Sequence, residues 1–237
     1  MRYALYFSPA EDDMLTKAAS QWLGRNAFTG EMHPTPAVEG LSVETVHALT
    51  ADPRRYGFHA TLKAPFALTE GRSEAEFLAA AESFAAETPA FAIPNVIVGQ
   101  IGRFFAIVPD QVYPALQDFT ADVVETFEPF RAPLSDADIA RRKPDALSEK
   151  QRDYLHRYGY PYVMEEFRFH MTLSGQVPPD QAPAIRAALD ARFGAFVGRP
   201  LAIDALSIFV EPERGADFIA YRRFSLTGAL QNRKTAS

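Results

Sequence analysis

The pattern of apolar and polar positions switches repeatedly between a period near two and a period near 3.6, and the switches outline the elements of the chain. Tyr3 to Phe7 is an apolar run closed by Ser8-Pro9, which predicts an opening strand. Across Glu11 to Leu23, residues Met14, Leu15, Ala18, Ala19, Trp22 and Leu23 recur at helical spacing. Residues 26–40 are rich in Gly, Pro and Thr and predict a connection, and Val43 to Leu49 a short helix ahead of Asp52-Pro53. Arg54 to Leu68 holds a second strand. Ser73 and Glu76 give a Ser-x-x-Glu start for an alanine-rich helix running to about Glu87.

Phe91 to Val98 and Arg103 to Val108 predict two strands joined through Gly99 to Gly102, followed by a helix over Val112 to Phe127. From about 129 to 157 the chain reads as a charged insertion, with a helix start at Ser135 and a polar helix from Ser148. Phe167 to Leu173 is the next strand and Asp180 to Phe193 an amphipathic helix. Leu201 to Val210 and Phe218 to Leu226 close the chain as strands, with a polar, frayed tail after Gly228. Helices and strands lack the regular alternation of a doubly wound sheet, and hairpin-like pairs occur in both halves. The predicted class is α+β with largely antiparallel sheets flanked by helices.

Two of these strands echo each other. Phe58-His59-Ala60-Thr61-Leu62 and Phe169-His170-Met171-Thr172-Leu173 share Phe-His-x-Thr-Leu at a separation of 111 residues, and they contain two of the chain's five histidines. In an extended strand His and Thr at i and i+2 project to one side, ~6.6–6.8 Å apart, while Phe and Leu fall on the other. One face is then chemical and the other packs. A single histidine on a half-apolar strand is usually a structural, hydrogen-bonded residue; duplication with the same partner at the same offset reverses that reading.

If the two strands lie side by side, two imidazoles and two hydroxyls converge on a volume the size of a phosphoryl group. Phosphodiester hydrolysis needs one group to take a proton from water and another to give one to the departing oxygen, and imidazole titrates in the range suited to both. Threonine hydroxyls can donate to the non-bridging oxygens. His59, Thr61, His170 and Thr172 therefore form the candidate catalytic set.

Composition narrows the substrate. The formal net charge is −6 and the pI about 5.4, so no overall positive field gathers a phosphate polymer, and a small phosphorylated substrate is expected rather than long nucleic acid. There is no cysteine, which removes disulfides, thiolate zinc sites and a cysteine nucleophile, and which suits a cytoplasmic setting. The N-terminal residues lack the apolar core of a secretory signal, and the most apolar later stretch, Phe77 to Ala81, is far short of the ~20 residues that span a bilayer. No membrane association is expected.

At the two motifs the sequence resembles the two-histidine phosphoesterase superfamily, whose signature is a pair of His-x-Thr/Ser-x motifs. The longer segments Tyr56 to Phe66 and Tyr158 to His170 resemble its bacterial branch found with phosphonate-utilisation operons. The resemblance covers nearly the whole chain. It implies one bilobal domain over 1–237, with two pseudo-symmetric lobes and a central cleft carrying both motif strands. It also implies cyclic phosphodiesterase or RNA-end ligase chemistry on 2′-linked phosphates. For this branch the implied substrate is a small ribose phosphate ester, linear or cyclic, in phosphonate metabolism.

Around the pair, Lys63 and Arg168 share the strand face of the histidines and are candidates to neutralise a phosphate. Arg131 and Arg141 are candidates from the insertion, which could fold over the cleft as a lid, although a short basic run such as Arg141-Arg142-Lys143 is usually a solvated face. Tyr6, Tyr56, Tyr158 and Tyr160 could stack on a base or cap a phosphate. His33, His47 and His156 have no repeated partner, no metal-binding spacing accompanies them, and no cofactor is expected. There is also no Walker-type loop and no Gly-x-Ser-x-Gly elbow. The expected activity is metal-independent phosphoric diester hydrolysis. Two rival readings remain open: a metal-dependent phosphohydrolase using Glu165 and Glu166 with the histidines, and a module that binds a phosphorylated metabolite or nucleotide without turnover.

Overall fold

A computed structural model of the chain describes residues 1–229; the tail expected to fray lies largely outside them. In chain order the elements are β1 (Arg2–Phe7), α1 (Met14–Leu23), α2 (Val43–Leu49), α3 (Ala51–Tyr56), β2 (Ala60–Phe66) and α4 (Glu74–Glu87). There follow β3 (Phe91–Ile93), β4 (Val96–Ile101), β5 (Phe104–Pro109), α5 (Pro114–Phe127), α6 (Asp136–Arg141) and α7 (Glu149–Tyr158). The chain closes with β6 (Met171–Thr172), α8 (Ala182–Phe193), β7 (Leu201–Ile203), β8 (Ala205–Glu211) and β9 (Ile219–Ser225). Capping chemistry sets several helix starts. Ser73 with Glu76 and Ser148 with Gln151 form reciprocal capping boxes, and Asp13 accepts from the Leu15 amide at 2.7 Å.

Seven strands form one antiparallel sheet in the order β4-β5-β6-β2-β1-β8-β9, and β3 pairs with β7 in a separate ribbon. The fold is α+β, with a large antiparallel sheet flanked by helices. The two motif strands are neighbours at its middle. One sheet face packs under α1, α4, α5 and α8, in a core that takes Leu5, Phe7, Phe58, Ala60, Leu62, Phe169, Met171 and Leu173. The other face carries a smaller cluster built on Ala4, Tyr6, Phe209 and Phe218. No helix among the described residues is long and apolar enough to cross a membrane.

Several expected elements are divided. The run Phe91 to Val98 breaks after β3 at Pro94, which has no amide hydrogen for a ladder. β4 continues through Gly99, which pairs with Ala106 and leaves room for the Val108 methyl, 2.4 Å from where a Cβ would sit, and the turn falls at Gly102 with φ 58°. Leu201 to Val210 divides around Asp204, and Arg54 to Tyr56 belong to α3 rather than to the strand. The expected strand Phe167 to Leu173 pairs as a ladder only at Met171 and Thr172.

Candidate active site

Ala60 of β2 pairs with Met171 of β6 in antiparallel register. On the flanking positions this sets His59 opposite Thr172 and Thr61 opposite His170, so each histidine faces the threonine of the other copy. Side chains directly opposite on one face stand ~4.5–5.5 Å apart at Cβ. The alternation keeps all four on the face away from the main core, and all four are partly buried.

The two imidazoles are held in the same way. His59 Nδ1–H donates to the Gly57 carbonyl at 2.9 Å, and His170 Nδ1–H donates to the Arg168 carbonyl at 2.7 Å. A carbonyl can only accept, so each neutral ring carries its proton on Nδ1 and leaves Nε2 as the basic nitrogen. The Thr61 hydroxyl donates to His59 Nε2 at 3.1 Å. His170 Nε2 and the Thr172 hydroxyl make no hydrogen bond to another described residue. Gly57 takes φ 77°, and a Cβ there would stand 2.4 Å from the Ala27 Cβ, so the carbonyl that orients His59 depends on glycine.

Desolvation pushes the His59 pKa down from 6.5 to about 4, opposed by the Gly57 hydrogen bond and reinforced by His170. The Tyr6 ring stacks on His59 with centroids 3.8 Å apart and covers one face of it. His170 is lowered too, by burial against the Arg168 bond. Both are therefore neutral near pH 7 in the free protein. The mutual repulsion means that a proton entering the pair settles on one ring.

A cavity of about 420 Å³ opens beside the pair, lined by Thr61, His170, Arg168, Phe104, Tyr160 and Tyr162 among others. The Arg168 guanidinium is exposed and makes no hydrogen bond or ion pair with a described residue. Tyr6, Tyr56 and Tyr160 gather at the same place: the Tyr56 ring lies 6.0 Å from His59, and burial and the neighbouring Tyr56 and Tyr160 raise the Tyr6 hydroxyl pKa. Tyr158 instead packs in a satellite cluster with Val124 and Val163.

Three expected phosphate ligands, Lys63, Arg131 and Arg141, do not line the His170 cavity. Lys63 was placed on the histidine face by simple alternation, but β2 bulges at Leu62: Tyr6 pairs with Thr61, while Leu5 pairs with Lys63. Lys63 therefore shares the face of Leu5, the helix-packed side. It is 2% exposed and donates to the Val124 carbonyl at 3.0 Å and to Glu128 at 2.7 Å. Arg131 grips the same Glu128 at 2.6 and 2.9 Å and lines a separate hollow with His156. Arg141 lies in a separate recess, paired with Asp138. Glu165 pairs with Lys150 and Tyr154, and Glu166 accepts from Gln151 at 2.9 Å. Among the described residues no three His, Cys, Asp or Glu side chains come together as a metal-holding group.

Residues 61–219 match the family described as "Protein of unknown function (DUF1045)". The chain is 39% identical over 231 residues to a protein named "Ribose 1,5-bisphosphate phosphokinase PhnN" from Janthinobacterium sp. (strain Marseille), covering 96% of this chain and 51% of that protein. It is 32% identical to one of the same name from Laribacter hongkongensis (strain HLHK9), covering 92% and 50%. The chain thus spans about half the length of the curated relatives it matches. Among solved structures it aligns with TT0787 of Thermus thermophilus at TM-score 0.47 and 13% identity, over 96% of this chain and 99% of that one. It aligns with E. coli LigT complexed with NADP+ at TM-score 0.40 and 15% identity, over 95% and 97%.

Proposed function

The chain belongs to the DUF1045 family, and from that premise we propose that it is a metal-independent phosphoesterase cleaving a small ribose phosphate ester or cyclic phosphodiester. The observation that carries the reading is the β2–β6 register, which turns two sequence motifs into one four-residue constellation. His59, the ring pushed down to about 4, is the base: its Nε2 takes the proton of the attacking water. His170, which lines the cavity, carries the one proton that the pair admits with anionic substrate bound and delivers it to the leaving oxygen. The Thr61 and Thr172 hydroxyls donate to the non-bridging oxygens as negative charge builds there, and Arg168 adds a positive charge at the rim.

The chain covers about half of the curated relatives, and in this reading the kinase of their printed name belongs to the other half. No glycine in the chain is followed by lysine, so the Gly-Lys step of a Walker loop is missing. The ribose phosphate in that printed name nevertheless supports a sugar-phosphate substrate. The cytoplasmic, phosphonate-related setting implied by the motif resemblance belongs to the same proposal.

The test separates acid from base. On a 2′,3′-cyclic nucleotide both His59→Ala and His170→Ala should lose on the order of 10²–10⁴ in kcat. On a p-nitrophenyl phosphodiester, whose leaving group needs no proton, His170→Ala should retain most of its rate and His59→Ala should not. Activity that EDTA abolishes and metal restores would move the chain to the metallohydrolase class. Ligand binding without turnover across cyclic and linear ribose phosphates would make it a binding module.

A further inference from the structure

Behind the tyrosines lies a second recess, of about 480 Å³, that the proposed chemistry does not use. Its walls come from the start of β1, the end of α3, the segment around α6 and the turn between β8 and β9. Each contributes arginine: Arg2, Arg55, Arg141 with Arg142, and Arg214. Two carboxylates face these five guanidinium groups. Glu211, fully buried, is shared by Arg2 and Arg55 at 2.5 and 2.9 Å and also accepts the Gly215 amide. Asp138 is shared by Arg141 and Arg214, the latter at 2.9 Å.

Arg142 has no carboxylate partner among the described residues; its guanidinium lies 4.9 Å over the Tyr160 ring. In a chain with net charge −6 this concave surface carries a surplus of three positive charges. Four of the five arginines share the two carboxylates pairwise, so the formal sum leaves three positive charges unbalanced. Such a surplus in a concave site with low-dielectric walls focuses its field on an anion.

The recess adjoins the histidines. Arg55 stacks 4.3 Å over Tyr56, which lines the recess and whose ring is 6.0 Å from His59; Tyr160, under Arg142, lines the cavity that contains His170. Tyr6, only 1% exposed, has a hydroxyl with no hydrogen-bond partner among the described residues, and Arg2 and Arg55 both act on it electrostatically. Tyr56 and Tyr160 thus each stack with an arginine of the recess and lie beside the histidine site.

We propose that this recess is a second anion site, binding the terminal phosphomonoester of a small sugar phosphate whose other phosphoryl group lies between the histidines. The proposal rests on the phosphoesterase reading and narrows it to substrates phosphorylated at both ends. Binding at the remote end would hold the scissile ester against His59 and His170, so the terminal phosphate should act on kcat as well as KM.

The experiment compares two substrates that differ only in that group: a 2′,3′-cyclic nucleotide with and without a 5′-phosphate. The phosphorylated substrate should be favoured in kcat/KM by about tenfold or more. In Arg142→Gln and in Arg214→Gln, residues whose loss exposes no buried carboxylate, that preference should fall toward one. A ratio near one in the unaltered protein, or a preference that survives both substitutions, overturns the proposal. So does stimulation of the unphosphorylated substrate by inorganic phosphate, which would assign the recess to a free ion. If neither substrate turns over, the phosphoesterase reading fails separately, and calorimetry with ribose 5-phosphate decides the recess. Binding that both substitutions weaken supports the anion site; no binding overturns it.

Discussion

His59 provides a quantitative handle, because its environment predicts both a titration midpoint and a pH dependence of stability. The free ring titrates at 6.5 in an unfolded chain and at about 4 in the fold. Between those values the unfolded state binds more protons than the native state, so stability is complete above pH 6.5 and declines as pH falls toward 4. The difference corresponds to roughly 3 kcal/mol at most, an upper bound since the Nε2 edge still meets the cleft. His170 is lowered as well and adds to the loss with the same sign. The assay is urea unfolding in steps from pH 7.5 to 4 on the unaltered protein and on His59→Asn, together with an NMR titration of the ring. The variant should show the shallower slope. Phosphate bound between the rings should raise the His59 midpoint by about one unit or more, since an opposite charge favours the protonated form. A free-protein midpoint at or above 6.5, or equal slopes for the two proteins, refutes the desolvated, Tyr6-stacked imidazole.

Further outcomes follow from the same geometry. Glu128→Gln strands two cations, one of them the 2% exposed Lys63, and should lower unfolding free energy by roughly 3–5 kcal/mol, while kcat stays close to the unaltered value because the pair lies off the cleft face. Gly57→Ala must fit a Cβ 2.4 Å from that of Ala27 at φ 77° and should cost about 1–3 kcal/mol, with kcat falling more than KM changes as the carbonyl behind His59 moves. The rate on a cyclic phosphodiester should be bell-shaped in pH: the acid limb reports the base becoming neutral, the alkaline limb the acid losing its proton. Thr172→Val, matched in shape but without the donor, should lower kcat by about 10² or more, read in steady-state kinetics.

Most of the site was legible in the sequence because its information is local. A Phe-His-x-Thr-Leu strand sorts its own faces, and the structure has Phe58, Ala60 and Leu62, like Phe169, Met171 and Leu173, on the packed side. Helix starts at Ser73 and Ser148 were equally plain, since the capping groups are three residues apart. What alternation alone misplaced was Lys63: one extra residue at Leu62 turns it to the packed face, and strand sequence carries little mark of a bulge. Four of the five recess arginines were invisible for a different reason. Arg2, Arg55, Arg142 and Arg214 come from four separated segments and meet only through sheet order, with Glu211 drawing two of them inward. Even the Arg141-Arg142 run, noticeable as charge, gave no sign that one of its members would lie against Tyr160.

The pairing of Ala60 with Met171 also makes the two motifs a single inherited unit. Each histidine stands across from a threonine encoded about a hundred residues away, so neither half of the chain owns a working half of the chemistry. A one-residue slip between β2 and β6 would bury one copy's donors in the helix-packed core while the other stayed in the cleft. Insertions near either motif should therefore be tolerated only in pairs that keep the seam in step, and surviving variants would trace the seam more sharply than either strand alone.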